Sequence, residues 1–228
     1  MTDQKSEAPP SDATLAKVIA EQVERPLPEA LRREVRLPDL SGKAVALVGM
    51  RRSGKTYRLF DEMRRLLEEG VPRSRMLYLN LEDDRLGRAD LGTLDRALEV
   101  FARRDPAVRA LGSWIFLDEV QVVSGWERFA RRLLDTEPSR LFVTGSSARM
   151  LSTEVATAFR GRSVTVEVLP YSVREAAPGE IRRAQHEGHS ARRLHEKPIT
   201  ISWPQRWQAS RARPCSRMPH LRNDSNSF

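Results

Sequence analysis

Eight consecutive residues carry the strongest local signal in this chain: Gly49-Met50-Arg51-Arg52-Ser53-Gly54-Lys55-Thr56. They fit the pattern G-x-x-x-x-G-K-[ST]. The two glycines allow backbone angles closed to other residues, so that successive N–H groups can surround phosphates at a helix N-terminus. Lys55 would bring a compact positive charge to the β- and γ-phosphates, and the Thr56 hydroxyl is a hard oxygen ligand suited to Mg2+. The stretch therefore predicts a P-loop, with ATP and Mg2+ as the expected ligands.

The sequence on either side of this loop supplies the context that a P-loop requires. Ala44–Val48 is a continuous apolar run, as expected of a strand buried on both faces of a parallel sheet. Behind the loop, apolar residues recur on one helix face until Gly70 and Pro72, at Leu59, Phe60, Met63, Leu66 and Leu67. The order is thus strand, loop, helix.

Further strands are predicted by apolar runs at residues 76–81, 114–117, 141–144 and 164–169, separated by helical patterns. Five strands that alternate with helices predict an α/β fold, a doubly wound parallel sheet of the P-loop NTPase type.

Two acids follow the third of these apolar runs, Asp118 and Glu119. The carboxyl end of a parallel strand is the edge where such sheets bind ligands. Asp118 is expected to contact Mg2+, through a water molecule, and Glu119 to polarise the water that attacks the nucleotide. An acidic pair in this position could also cap a helix. Its combination with the P-loop favours the nucleotide-site interpretation.

A polar cluster follows the strand that ends at Thr144, and it is a candidate sensor of the γ-phosphate. We predict Ser146 as the sensor, with Thr144 and Ser147 as alternatives. A helix-capping turn before Ala148 is the competing interpretation, and both roles are compatible.

Two arginines downstream, Arg160 and Arg162, could stabilise negative charge on the transferred phosphoryl group. They could act within the same chain or from a neighbouring subunit. Arginines are abundant in this chain, so surface ion pairs are the simpler interpretation of either residue.

Composition divides the chain into three segments. We predict a disordered lead-in at residues 1–11, an ATPase domain at residues 12–176, and an irregular basic tail at residues 177–228. The net charge of the 228 residues is +8, and the tail holds ten Lys and Arg against four Asp and Glu. The remaining residues are therefore nearly neutral, which argues against a general nucleic-acid-binding surface on the domain.

No apolar run reaches the roughly eighteen residues that span a bilayer, and the N-terminus lacks the pattern of a secretory signal. We therefore expect a cytoplasmic protein with no membrane contact. The single cysteine, Cys215, cannot form an internal disulfide. His186, His189 and His195 lack the paired spacing of zinc ligands, so no metal other than Mg2+ is expected.

The chain resembles a family of bacterial and archaeal AAA-type ATPases in which the ATPase module precedes a C-terminal domain of unknown function. The shared motifs run from about residue 45 to residue 175, in the order G-M-R-R-S-G-K-T, Y-L-N-L-E-D, L-D-E-V-Q, T-G-S-S-A-R-M-L and L-P-Y-S. The resemblance implies the sheet order 5-1-4-3-2, with the sensor strand between the P-loop strand and the acidic strand. It also implies Mg2+-dependent ATP hydrolysis.

The chain departs from the family pattern at Val173 and Ala176, where aromatic residues are expected, and throughout the tail. The tail is rich in Arg, Ser, Pro, His and Trp and does not resemble the family's second domain. We expect it to be translated out of frame or to be a degenerate terminus.

Two other classes of P-loop protein, kinases and GTPases, fit this sequence less well than an ATP hydrolase. A P-loop kinase commonly lacks a glutamate such as Glu119 beside the magnesium aspartate, and a GTPase would need an N-K-x-D string, which does not occur. Two alternatives stay open: an ATP-switched nucleic-acid-binding protein that uses the basic tail, and a truncated product that binds ATP but hydrolyses it poorly. A homo-oligomer or an unknown protein partner is compatible with each interpretation.

Overall fold

The computed structural model describes residues 8–29, 32–33, 36–145, 159 and 161–170. Its helices are α1 (Asp12–Glu24), α2 (Lys55–Glu68), α3 (Leu91–Arg104), α4 (Ala107–Leu111) and α5 (Trp126–Thr136). Its strands are β1 (Ala44–Val48), β2 (Met76–Asn80), β3 (Trp114–Asp118), β4 (Arg140–Gly145) and β5 (Ser163–Glu167). Short 3-10 turns occupy Arg73–Arg75, Asp84–Leu86 and Val120–Val122.

The five strands form one parallel sheet in the order β2-β3-β4-β1-β5. This is the predicted order 5-1-4-3-2 viewed from the opposite edge, so the predicted fold class and strand order are confirmed. The predicted strand limits differ from the observed ones by one or two residues. β4, the predicted sensor strand, lies between β1 and β3, as the resemblance implied.

Side chains on β1 alternate between two hydrophobic clusters, one on each face of the sheet. Ala44, Ala46 and Val48 belong to the larger cluster, which also contains residues of α1, α3 and α5. Val45 and Leu47 belong to the smaller cluster, which contains residues of α2. Helices therefore cover both faces, which explains why β1 is entirely apolar.

The α2 helix places its apolar side against the sheet largely as its periodicity predicts. Leu59, Met63 and Leu66 are buried, whereas Leu67, which was predicted to share that face, is 38% exposed. Because 3.6 residues make one turn, Leu67 lies 100° further round the helix than Leu66 and leaves the contact.

The last residues of the predicted lead-in, residues 1–11, contact the domain and cap its first helix. Pro10 is buried, and its carbonyl accepts a hydrogen bond from Arg96 Nη2 at 3.1 Å. Ser11 is the N-cap of α1 and accepts a hydrogen bond from the Thr14 N–H at 3.2 Å. The proposed boundary between residues 176 and 177, and the whole tail, lie outside the described residues and stay predictions.

Candidate nucleotide-binding site

The predicted P-loop connects the carboxyl end of β1 to the N-terminus of α2. Gly54 is the N-cap of α2 and has left-handed angles, φ 94° and ψ 19°, which glycine adopts without a Cβ penalty. No side chain caps this helix end. Its first N–H groups therefore face the loop and provide the partial positive charge that favours a bound anion.

Two polar side chains inside the loop have arrangements that fit a bound phosphate. Ser53 Oγ is buried, and within the described part of the chain it has no hydrogen-bond partner. Lys55 Nζ donates to the carbonyls of Gly49 and Met50 at 3.1 and 3.0 Å, so the ammonium group curls back over its own loop. An unsatisfied buried hydroxyl is costly unless a ligand or water supplies its partner.

Gly49 lies where the loop approaches the chain after β5. A Cβ at this position would lie 2.4 Å from the Val168 carbonyl oxygen and 2.9 Å from Ser53 Oγ. The approach is held by the backbone, since the Val168 N–H donates to the Val48 carbonyl at 2.7 Å. Any side chain would therefore push the first residue of the loop away from its neighbour.

We expect Gly49→Ala to destabilise the protein by about 1 to 3 kcal/mol, the usual cost of overpacking, and to weaken ATP binding. Chemical unfolding and a nucleotide-binding titration would measure the two effects. Gly42→Ala is the matched control, because Gly42 also has a positive φ but nothing lies within 4 Å of a Cβ there. Equal affinity losses in the two variants would contradict the steric explanation.

Four hydroxyl and carboxyl side chains meet at the carboxyl ends of the strands, on the face of the sheet that α2 covers. Tyr78, Asp118 and Thr144 each lie two residues after a residue of the α2 cluster on the same strand, and therefore on the same face of the sheet. Those preceding residues are Met76, Phe116 and Phe142. Thr56 approaches from the first turn of α2. The sheet register thus brings together residues that are far apart in the sequence.

Asp118 is the centre of this group. It is 1% exposed, and its Oδ2 accepts a hydrogen bond from the Tyr78 hydroxyl at 3.0 Å. Its Oδ1 accepts one from the Thr144 hydroxyl, and the Thr56 side chain lies beside this carboxylate. Burial raises the pKa of Asp118 above its ordinary value, although the neighbouring hydroxyls of Thr144, Thr56 and Tyr78 act in the opposite direction.

Glu119 is held beside this carboxylate in an uncommon conformation. Its angles, φ 57° and ψ 49°, are left-handed, and its N–H donates to the Thr144 hydroxyl oxygen at 3.0 Å. Gln121 Nε2 donates to Glu119 Oε2 at 2.6 Å. A non-glycine residue in this region costs stability and is found disproportionately at functional sites. Thr144 therefore bridges both acids of the predicted pair.

The structure places Arg162 away from this group of side chains. The Arg162 carbonyl accepts a hydrogen bond from the Ala44 N–H at 2.9 Å, so Arg162 lies at the amino end of β1, opposite the P-loop. Its side chain is about half exposed and forms an ion pair with Asp135. Arg162 therefore does not reach the nucleotide site of its own chain. Ser146, Ser147 and Arg160 lie outside the described residues.

Sequence reasoning missed two residues that contact the acidic pair, Tyr78 and Gln121. Tyr78 interrupts the aliphatic pattern of β2 with a hydroxyl, and it precedes by two residues Asn80, which pairs with Asp118. The available signal for this contact was an aromatic residue with a polar hydroxyl on the same face of the sheet as Asp118. Gln121 follows Glu119 by two residues, and periodicity contains no signal for their contact.

Among the described residues, no helix combines the length and apolarity needed to cross a membrane. The same residues contain no cluster of three or more His, Cys, Asp or Glu side chains that could bind a metal ion. Mg2+ at a P-loop needs fewer protein ligands than such a cluster contains, because the ion retains water molecules and binds phosphate oxygens.

A parallel sheet with this strand order, a P-loop after β1 and an acid at the end of β3 defines a P-loop NTPase domain. A family model described as an AAA domain matches residues 41–177, which is more than half of the chain. The chain belongs to this AAA domain family.

Two relatives of this chain are uncharacterized proteins. One is protein MJ1544 of Methanocaldococcus jannaschii, 33% identical over 147 residues, or 64% of this chain and 31% of the relative. The other is a protein of Haemophilus influenzae, 30% identical over 128 residues, or 56% of this chain and 31% of the relative. The chain therefore matches about a third of the length of each relative.

Solved structures with a similar arrangement include the Aeropyrum pernix Orc1 protein in complex with DNA, at 17% identity and a TM-score of 0.42. That match covers 82% of this chain and 52% of Orc1. AMPPCP-bound DnaA from Aquifex aeolicus matches at 17% identity and a TM-score of 0.36, over 79% of this chain and 63% of DnaA.

Proposed function

We propose that this chain binds ATP and hydrolyses it with the help of Mg2+. The observation that carries the proposal is the convergence of Thr56, Asp118 and Thr144 beside Glu119, at the sheet edge where the P-loop begins. Hydrolysis needs a group that polarises water, in addition to a phosphate site and a metal site. A carboxylate adjacent to the magnesium acid favours hydrolysis over transfer to a bound acceptor.

The residues present fit a phosphate chain and a magnesium ion. The orphaned Ser53 hydroxyl and the uncapped N-terminus of α2 offer donors for phosphate oxygens, and Lys55 would exchange its carbonyl partners for them. Thr56 would hold Mg2+ directly, and Asp118 through water. When bound, Mg2+ supplies positive charge that stabilises the developing phosphate charge.

Glu119 would orient and polarise the attacking water. Its Oε2 accepts the amide hydrogen bond from Gln121, and within the described part of the chain no hydrogen bond reaches its other oxygen. That oxygen is available to accept a proton from water as the water attacks. The Thr144 hydroxyl, by accepting from the Glu119 N–H, would hold the backbone of this residue in its left-handed conformation.

Lys55→Ala tests nucleotide binding directly. We expect the variant to bind ATP about 10- to 100-fold more weakly in a calorimetric titration, since a charge-assisted hydrogen bond contributes about 1.5 to 3 kcal/mol. Lys43→Ala is the matched control, because Lys43 is exposed at the opposite end of β1. Wild-type protein that binds neither ATP nor ADP would contradict the proposed function.

We further propose that any arginine contribution from Arg162 comes from a neighbouring subunit. Its position at the far end of β1 leaves no route to the site of its own chain. Assembly into a homo-oligomer would therefore raise turnover for each subunit. Turnover per chain that stays constant over a wide range of protein concentration, while the mass in solution changes, would contradict this.

A further inference from the structure

We infer that Tyr78 is a positioning residue for the magnesium site, because its hydroxyl holds the Asp118 carboxylate in the orientation that binds the ion. The inference rests on the proposed function and goes beyond it, since Tyr78 lies on β2, outside the P-loop and the acidic pair. Tyr78 would touch neither the nucleotide nor the metal, and would act only through Asp118.

The contact between the two residues is direct and protected from solvent. The Tyr78 hydroxyl donates to Asp118 Oδ2 at 3.0 Å, and the two residues are 4% and 1% exposed. A hydrogen bond to a charged acceptor is stronger than one between neutral groups, and in a buried site it is not weakened by competing water. A tyrosine hydroxyl is protonated at neutral pH, so it is able to donate this hydrogen bond.

The ring of Tyr78 is also fixed, so its hydroxyl cannot swing away from the carboxylate at little cost. Phe60 of α2 packs against it with a centroid separation of 5.0 Å and an interplanar angle of 49°. Phe60 is one turn along the helix from Thr56, whose side chain lies beside Asp118. The α2 helix thus positions both the Tyr78 ring and Thr56, the expected metal ligand, relative to the Asp118 carboxylate.

The hydrogen bonds to Asp118 limit how many further groups its carboxylate can accept. A carboxylate offers about four acceptor positions, and Asp118 receives hydrogen bonds from Tyr78 and Thr144, with the Thr56 side chain beside it. Few positions then remain for a water molecule of the magnesium shell. With the Tyr78 hydroxyl removed, the carboxylate could rotate and a further position would be open. Partners of this kind typically change metal affinity by about 10- to 100-fold.

The deciding experiment compares Tyr78→Phe with wild-type protein in the binding of a non-hydrolysable ATP analogue. Calorimetric titrations would be made in EDTA and at a series of Mg2+ concentrations, using the full chain. We expect unchanged affinity in EDTA and an increase of about 10-fold in the Mg2+ concentration at half-maximal enhancement of binding. Tyr57→Phe is the matched control, because Tyr57 is 38% exposed and no hydrogen bond of its hydroxyl occurs in the described part of the chain.

The outcomes distinguish failure of the inference from failure of the proposed function. A Mg2+ dependence of Tyr78→Phe equal to that of wild type and Tyr57→Phe would overturn the inference and leave ATP binding intact. Equal losses of affinity with and without Mg2+ would assign Tyr78 a purely structural role and also overturn it. Wild-type protein without Mg2+-enhanced binding would contradict the proposed function, and the inference with it. A selective loss of Mg2+ response in Tyr78→Phe alone would support both.

Discussion

Replacing Glu119 with Gln is expected to lower the rate of ATP hydrolysis by about 10²- to 10⁴-fold, the usual contribution of a general base. The amide has nearly the same shape as the carboxylate but cannot accept a proton from water. Because Glu119 reaches the site from the end of β3 rather than from the P-loop, ATP binding should be unchanged. Phosphate release and a nucleotide titration on the same preparation would measure the two quantities.

Glu99→Gln serves as the control for this substitution. Glu99 is exposed on α3 and forms an ion pair with Arg103, away from the predicted site, so its turnover should match wild type. Equal turnover in wild type and Glu119→Gln would remove Glu119 from the catalytic role. Wild-type protein that binds ATP without turning it over would instead favour the alternative of a protein that binds ATP but hydrolyses it poorly.

Replacing Asp118 with Asn is expected to have opposite effects on activity and on stability. If Asp118 orients Mg2+ as proposed, loss of its charge should reduce turnover by about 10³-fold, equivalent to about 4 kcal/mol of lost charge stabilisation. Burial raises the pKa of Asp118, so the folded state binds its proton more tightly than the unfolded state does. The stability that this gives is present below the unfolded pKa and is lost as pH rises through the folded pKa.

At neutral pH the ionised Asp118 therefore costs stability, and a neutral amide removes that cost. We expect the Tm of Asp118→Asn to be higher than that of wild type at pH 7. The difference should shrink as pH falls toward 3.8, the ordinary pKa of the group. Asp135→Asn is the control, since Asp135 is about half exposed. A lower Tm together with unchanged Mg2+ dependence would contradict this account.

The fold and the core of the site follow from local patterns in the chain. A continuous apolar run predicted β1 because a strand covered on both faces tolerates little polarity. The spacing of Gly49, Gly54 and Lys55 predicted the loop because its backbone turn favours glycine and a phosphate favours a positive charge. Asp118 and Glu119 were predictable because they end an apolar strand. In all these cases the signal lies within a few consecutive residues.

Side-chain contacts across strands and helices required the tertiary structure. Alternation along a strand tells which residues share a face, but it does not tell which neighbouring strand they meet or how far a side chain extends. Tyr78 reaches Asp118 from 40 positions away because β2 and β3 are adjacent, and Thr144 reaches both acids because β4 lies on the other side of β3.

The same reason explains why Arg162 was a candidate in the sequence and is distant in space. The local sequence around Arg162 does not itself show its distance from the P-loop, but its place just before β5 puts it at the amino end of that strand. A parallel strand next to β1 must begin at the amino end of β1, whereas the P-loop follows the carboxyl end. The chain thus encodes its nucleotide loop and acids locally, while the geometry of the sheet selects the residues that surround them.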